Sequence, residues 1–192
     1  MREEELTDPR AVVLVEGASD RAALEVLAGR RGRDLGAERV AIVAMGGATN
    51  VGHFLAAYGP LGRDVRLAGL CDVAEEGYFQ RGLERAGLGA GLSRVDREAL
   101  GFFVCDADLE DELIRALGAP AVEAVVEAQG ELASLHLFQR QPAQQGRSTD
   151  AQLHRFMGTR SGRKSHYARE LVRALDLDRV PRALDRVLAH VG

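Results

Sequence analysis

The chain has 192 residues, 46% of them hydrophobic and 28% charged, which is enough to bury one core with a small appendage. No run approaches the roughly 18 consecutive apolar residues of a membrane span, and the start, MREEELTDPR, lacks the basic and apolar regions of a secretory signal. The net charge of −4 excludes a strongly basic protein, and the expectation is a cytoplasmic protein with no membrane partner.

That net charge hides a division. Residues 1–139 hold 14 Arg and no Lys against 24 acids, a balance of −10, whereas residues 140–192 hold 10 Arg and one Lys against five acids, a balance of +6. An acidic region joined to a basic one suits an enzyme that gathers cations in one place and phosphates in another; a solvated Arg-rich helical face gives the same count. The two cysteines, Cys71 and Cys105, each end an apolar run and read as buried thiols rather than a disulfide or a Cys-based metal site.

In chain order, AVVLV (11–15) is a continuous β-branched run followed by the amphipathic DRAALEVLAGRRG. VAIVAM (40–45) precedes the helical TNVGHFLAAYG, VRLAGLC (65–71) precedes EEGYFQRGLERAG, and GFFVC (101–105) precedes DLEDELIRALG. Strands without polar alternation, separated by helices, predict parallel βαβ units covered on both faces, with any site at the carboxyl ends of the strands. From Ala119 onward only helical patterns occur, punctuated by Pro120, Gly130, Pro142, Gly146, Gly158, Gly162 and Pro181. The predicted architecture is an α/β, Rossmann-like domain with a mainly parallel four-stranded sheet over residues 8–118. A helical extension over residues 119–192 packs on it.

Acids follow three of the four strands: Glu16 and Asp20 after the first, Asp72, Glu75 and Glu76 after the third, and Asp108 and Glu110 after the fourth. A parallel sheet delivers all of these turns to one edge. Crowded carboxylates raise one another's pKa unless a cation neutralises them, and oxygen ligands without Cys or His favour Mg²⁺ or Mn²⁺. Such a site accommodates two ions about 4 Å apart. Acids in a first helical turn are also ordinary caps, and Ser19 and Asp108 read equally as caps. Glu16 leaves a buried strand directly into Gly17, and no capping geometry accounts for it. Gly46-Gly47 between a strand and a helix admits either close backbone approach to an anion or a plain turn with Thr49 as cap. The five histidines are dispersed without metal-ligand spacing; His166, beside Lys164, is the one to watch.

In this order the motifs resemble a known family. VLVEGASDRAALEVLA resembles the first motif of Toprim domains, and GLCDVAEEGYF the second. FFVCDADLEDELIRALG, FQRQPAQQGRS and SGRKSHYARELV resemble the OLD (overcoming lysogenization defect) nucleases, whose last core strand is followed by Asp-x-Glu and whose helical C-terminal region carries a catalytic Lys. The resemblance spans roughly residues 11–175. It implies a Toprim fold and a Mg²⁺- or Mn²⁺-dependent nuclease, with DNA favoured over RNA as partner. Glu16 and Asp72 would hold one ion, and Asp20, Asp108 and Glu110 would hold or complete a second. Lys164, the only lysine in the chain, would match the lysine that stabilises phosphate charge; it lies in Arg160-Ser161-Gly162-Arg163-Lys164, and with Arg147 these basic residues are the candidate phosphate contacts. The usual second motif is Asp-x-Asp, but Ala74 stands at its second acid, so Glu75 or Glu76 is expected to reach in. OLD nucleases usually carry an ATPase domain; without a GxxxxGK[ST] segment, any ATPase is expected as a separate partner chain, and a homodimer is the other partner considered. A ribonuclease for structured RNA, a degenerate module binding nucleic acid or an ATPase, and a small-molecule phosphotransferase stay open at this point.

Overall fold

A β-branched run with no polar break needs cover on both faces, and Ala11–Val15 receives it: all five residues are fully buried. The computed structural model describes residues 8–160 and 162–192; residues 1–7 of the acidic start and Ser161 of the Arg-rich stretch lie outside the described residues. Strand β1 (Ala11–Val15) sits between β2 (Val40–Ala44) and β3 (Arg66–Asp72), and β4 (Phe102–Cys105) completes the sheet in the order β2-β1-β3-β4, every pairing parallel. Helix α1 (Ala18–Arg30) joins β1 to β2, and α2 (Val51–Tyr58) carries the chain back past β1 to β3. Helix α3 (Glu76–Arg85) follows β3.

Alternate side chains of β1 serve opposite layers. Ala11, Val13 and Val15 pack with Leu24 and Leu27 of α1, whereas Val12 and Leu14 pack with Val51 and Leu55 of α2 and Phe79 and Leu83 of α3. The sheet is therefore doubly wound, with the direction of winding reversing between β1 and β3. Gly69 in the middle of β3 makes room for this packing. A Cβ there would stand 2.6 Å from the Phe102 ring, which meets Phe79 edge-on with centroids 6.3 Å apart.

The four expected strands are all present, and β3 runs one residue further than its apolar pattern, taking in Asp72. One element was not anticipated. Helix α4 (Arg94–Ala99) precedes β4, started by a reciprocal cap in which the Asp96 N–H bonds Ser93 Oγ and the Ser93 N–H bonds Asp96 Oδ2. The S-x-x-D spacing was its signal. Thr49 is not the cap of α2; a 3-10 turn over Ala48–Asn50 intervenes, and Asn50 occupies the cap position.

Helix α5 (Leu109–Leu117) follows β4, and α6 (Ala119–Ala128), α7 (Leu132–Gln139), α8 (Thr149–Met157), α9 (Arg163–Ala174) and α10 (Arg182–His190) complete the chain. They bury Val126, Leu135, Phe156, Leu171 and Leu184 in the same core as α1 and one face of the sheet. The polar ends of this layer are tied by guanidinium groups. Arg30, closing α1, donates to the carbonyls of Val172 and Leu175 at the end of α9, and Arg33 donates to those of Leu188 and Val191 at the end of α10. Among the described residues no helix is long and apolar enough to cross a membrane.

Because the Phe102 ring is held by Phe79, it cannot swing aside for an added methyl. Gly69→Ala should cost about 1–3 kcal/mol by overpacking, read as a lower midpoint in urea unfolding. An unchanged midpoint would show the ring free to move.

Candidate metal centre

Parallel pairing places the ends of β1 and β3 side by side, and Glu16 exploits this. Its Oε1 accepts the backbone N–H of Asp72 at 2.9 Å, across 56 residues of sequence. This bond gives the Glu at a strand end the structural role that no cap could supply. Gly17 caps α1, and Asp20 reaches back so that its Oδ2 accepts the Gly17 N–H at 2.8 Å. Ser19 is not the cap. Asp108 caps α5, its Oδ1 accepting the Asp111 N–H at 2.9 Å, which brings Glu110 into the first turn. Lys164 enters from the first turn of α9, its Nζ 3.2 Å from Glu110 Oε2.

Apart from Asp108, which does not line it, these groups line one open cleft of about 390 Å³ at the carboxyl edge of the sheet. Glu16, Asp20, Asp72, Glu110 and Lys164 all face it, with Gly46 and Gly47 in its wall. Both glycines have positive φ (72° and 122°), which keeps that wall free of side chains.

The electrostatics are those of uncompensated negative charge. Burial, then the charges of Glu16, Asp20, Asp108 and Glu110, push Asp72 up to about 7. Burial likewise pushes Asp20 up to about 6; the Gly17 N–H opposes this, and Glu110 and Glu16 add to it. Glu16 is raised by burial, with the Asp72 N–H opposing and Glu75 reinforcing. Asp108 differs. Burial acts to raise it, but hydrogen bonds from His154 and the Asp111 N–H outweigh that and hold it low. Burial acts to lower Lys164, but the attraction and hydrogen bond of Glu110, with the charges of Asp108 and Asp72, together outweigh it and raise its pKa.

One atom tests whether this donor set suits a cation. Glu110 is 2% exposed, and its Oε1 is buried without a hydrogen-bond partner. A buried carboxylate oxygen left without a donor is costly, and a divalent ion is the partner that a cleft of oxygens would select. Asp108, Glu110 and His154 also each offer one ligand atom, all within 4.8 Å of one another.

Other expected site residues lie elsewhere. Glu76 pairs with Arg94 at 2.8 Å and with Arg97, turned toward α4. Glu75 is half-buried and near enough to Glu16 to raise its pKa, although it does not line the cleft. Arg163 is 7% exposed, bonded to Glu131 and Thr159, both at 2.6 Å, and stacked on Phe156. Arg160 is exposed with Glu131 at 3.8 Å, and Arg147 bonds the Ala143 carbonyl. His166 is exposed, its ring edge-on to Tyr167. His154 was missed, since a lone His on a helix has no spacing to mark it.

Residues 9–72 match the family model of the Overcoming lysogenization defect protein-like TOPRIM domain. This segment is an OLD-like Toprim domain. It holds Glu16, Asp20 and Asp72, and Toprim domains bind divalent metals through acidic residues and process nucleic acids. Two solved structures share the fold over nearly the whole length. The C-terminal region of the Burkholderia pseudomallei OLD protein is 21% identical at a TM-score of 0.71, with 95% of this chain and 97% of that one covered. The C-terminal region of the Xanthomonas campestris pv. campestris OLD protein is 23% identical at a TM-score of 0.71, with 96% and 95% covered. The Toprim fold is thus joined to the same helical layer in all three. No curated protein matches the chain.

Raised carboxyls hold more protons in the folded state than in the unfolded one, so they withdraw stability as pH rises from the ordinary 3.8 to about 6 for Asp20 and about 7 for Asp72. His154, raised by Asp108, works in the same direction above 6.5. The stability of metal-free wild type relative to Asp72→Asn should therefore fall between pH 5 and pH 8, and Mn²⁺ should raise the wild-type Tm more at pH 8 than at pH 5. A gap constant with pH would mean that Asp72 ionises freely.

Proposed function

We propose that this chain is a metal-dependent nuclease of the OLD-like Toprim type, hydrolysing phosphodiester bonds of DNA with two Mg²⁺ or Mn²⁺ ions. The observation that carries the reading is the convergence of Glu16, Asp20, Asp72, Glu110 and the chain's only lysine in one cleft. Glu16 and Asp72 would hold one ion, and Asp20, Asp108 and Glu110 the other. Bound divalent ions supply charge neutralisation at the phosphate and lower the pKa of attacking water.

The chain's own groups do the rest. Lys164 is a compact ammonium whose raised pKa keeps it charged, placed to hold a non-bridging phosphate oxygen as negative charge grows there. Its position in the first turn of α9 adds the positive end of a helix dipole. The side-chain-free wall at Gly46 and Gly47 lets a backbone strand of nucleic acid approach closely. Exposed Arg160 and Arg147 are the further phosphate contacts in this reading, whereas Arg163 serves α9 and α7 through Glu131. An ATPase domain usually accompanies the Toprim region of OLD nucleases, and an ATPase is the protein partner proposed here.

Ala74 supports a second reading. It stands exposed where the Toprim pattern has an acid, and a module that binds metal and nucleic acid without cutting would tolerate that loss.

Wild type should nick supercoiled plasmid in Mn²⁺ and lose this in EDTA. Glu16→Gln keeps an oxygen for the Asp72 N–H, and Asp72→Asn keeps its shape; both should fall to background with circular dichroism unchanged. Lys164→Ala should lose about 10²–10³ in rate. Nicking that survives in Glu16→Gln and Asp72→Asn would sink the assignment, Mn²⁺ binding without any cutting would favour the second reading, and cleavage of folded RNA alone would move the substrate.

A further inference from the structure

At the edge of the cleft, the carboxylates of Asp108 and Glu110 share their space with a ring nitrogen. His154 projects from α8, and its Nε2 lies 2.6 Å from Asp108 Oδ2, 46 residues away in sequence. Helix α8 is fixed by Leu153, Phe156 and Met157, all buried in the core, so the position of His154 is set by packing and not by a mobile surface. The imidazole is partly exposed (34%) beside Asp108 (23%), which leaves a solvent path to both.

A second observation concerns Glu110. Its Oε2 takes Lys164 while its Oε1, buried, takes nothing. An oxygen of Asp108, an oxygen of Glu110 and a nitrogen of His154 lie within 4.8 Å of one another. Ligands about 2.1 Å from a shared ion stand up to about 4.2 Å apart, so small side-chain rotations close the set. A His that served merely as counter-charge to Asp108 would leave the Glu110 oxygen unexplained.

We propose that His154 is a nitrogen ligand of an ion shared with Asp108 and Glu110, so that this half of the cleft favours a first-row transition ion such as Mn²⁺ over Mg²⁺. The inference rests on reading the cleft as a metal site. Coordination replaces the proton on Nε2 with the ion and leaves the ring neutral, protonated at Nδ1. An imidazole ligand gains little with Mg²⁺, which prefers oxygen, and more with the softer transition ions.

The experiment is Mn²⁺ titration followed by electron spin echo spectroscopy of the full chain carrying no added histidines. Wild type should give the ¹⁴N modulation of a coordinated imidazole, converted to the ¹⁵N pattern when histidine is isotopically labelled. His154→Gln should remove that modulation and weaken Mn²⁺ at one site by about tenfold. Mg²⁺ affinity should stay within about twofold. Should His154→Gln fail to fold, His154→Asn takes its place in the same titration, with the labelled wild type as reference. Mn²⁺ bound without nitrogen modulation overturns this proposal and leaves the metal-site reading standing; absence of any Mn²⁺ binding overturns both.

Discussion

Glu16, Asp20, Asp72 and Glu110 crowd one edge of the sheet, where burial already disfavours the charge of the first three. Much of the surrounding structure answers that repulsion. The Asp72 N–H goes to Glu16, the Gly17 N–H to Asp20, the Asp111 N–H and His154 to Asp108, and the Lys164 ammonium to one oxygen of Glu110. The first turns of α1, α5 and α9 all supply groups to this region, so three helix dipoles present their positive ends there. These donors hold Asp108 low but leave Asp20 and Asp72 raised and one Glu110 oxygen bare. A protein optimised for stability alone would have replaced such groups with apolar ones; strain of this kind is a mark of functional sites.

The doubly wound topology is what makes the crowding unavoidable. With β1 and β3 adjacent and parallel, residues that leave the two strands emerge together, although 56 positions separate Glu16 from Asp72. The helical layer then closes the third side. Lys164 needs α9 against α1, and that packing needs the apolar faces of α6, α8 and α10 behind it.

The strands were legible because cover on both faces writes an unbroken apolar run, and the acids after them because a parallel sheet has one functional edge. Periodicity records burial and not adjacency, so the neighbour relation of β1 and β3, and with it the Glu16 to Asp72 bond, came only from the structure. Helix α4 is six residues long, too short for a periodic signal, and only its Ser93-Asp96 cap announced it. Side-chain direction was equally hidden. Glu75 and Glu76 are adjacent in sequence, yet Glu76 turns to Arg94 and Arg97 while Glu75 stays near Glu16. Arg163 and Lys164 likewise part company: the guanidinium is drawn inward by Glu131 and the Phe156 ring, and the ammonium faces the carboxylates.

The grip of Arg30 on the carbonyls of Val172 and Leu175 has a mechanical meaning. Helices α1 and α9, of 13 and 12 residues, lie side by side with the same polarity, joined at their far ends by a guanidinium and open to the cleft at their near ends. Like a pair of rails bolted at one end, they fix the gauge between Asp20 and Lys164. Changes in the connection between α8 and α9 can reshape the approach to the cleft, but the separation of acid and amine is machined into the helix pair itself.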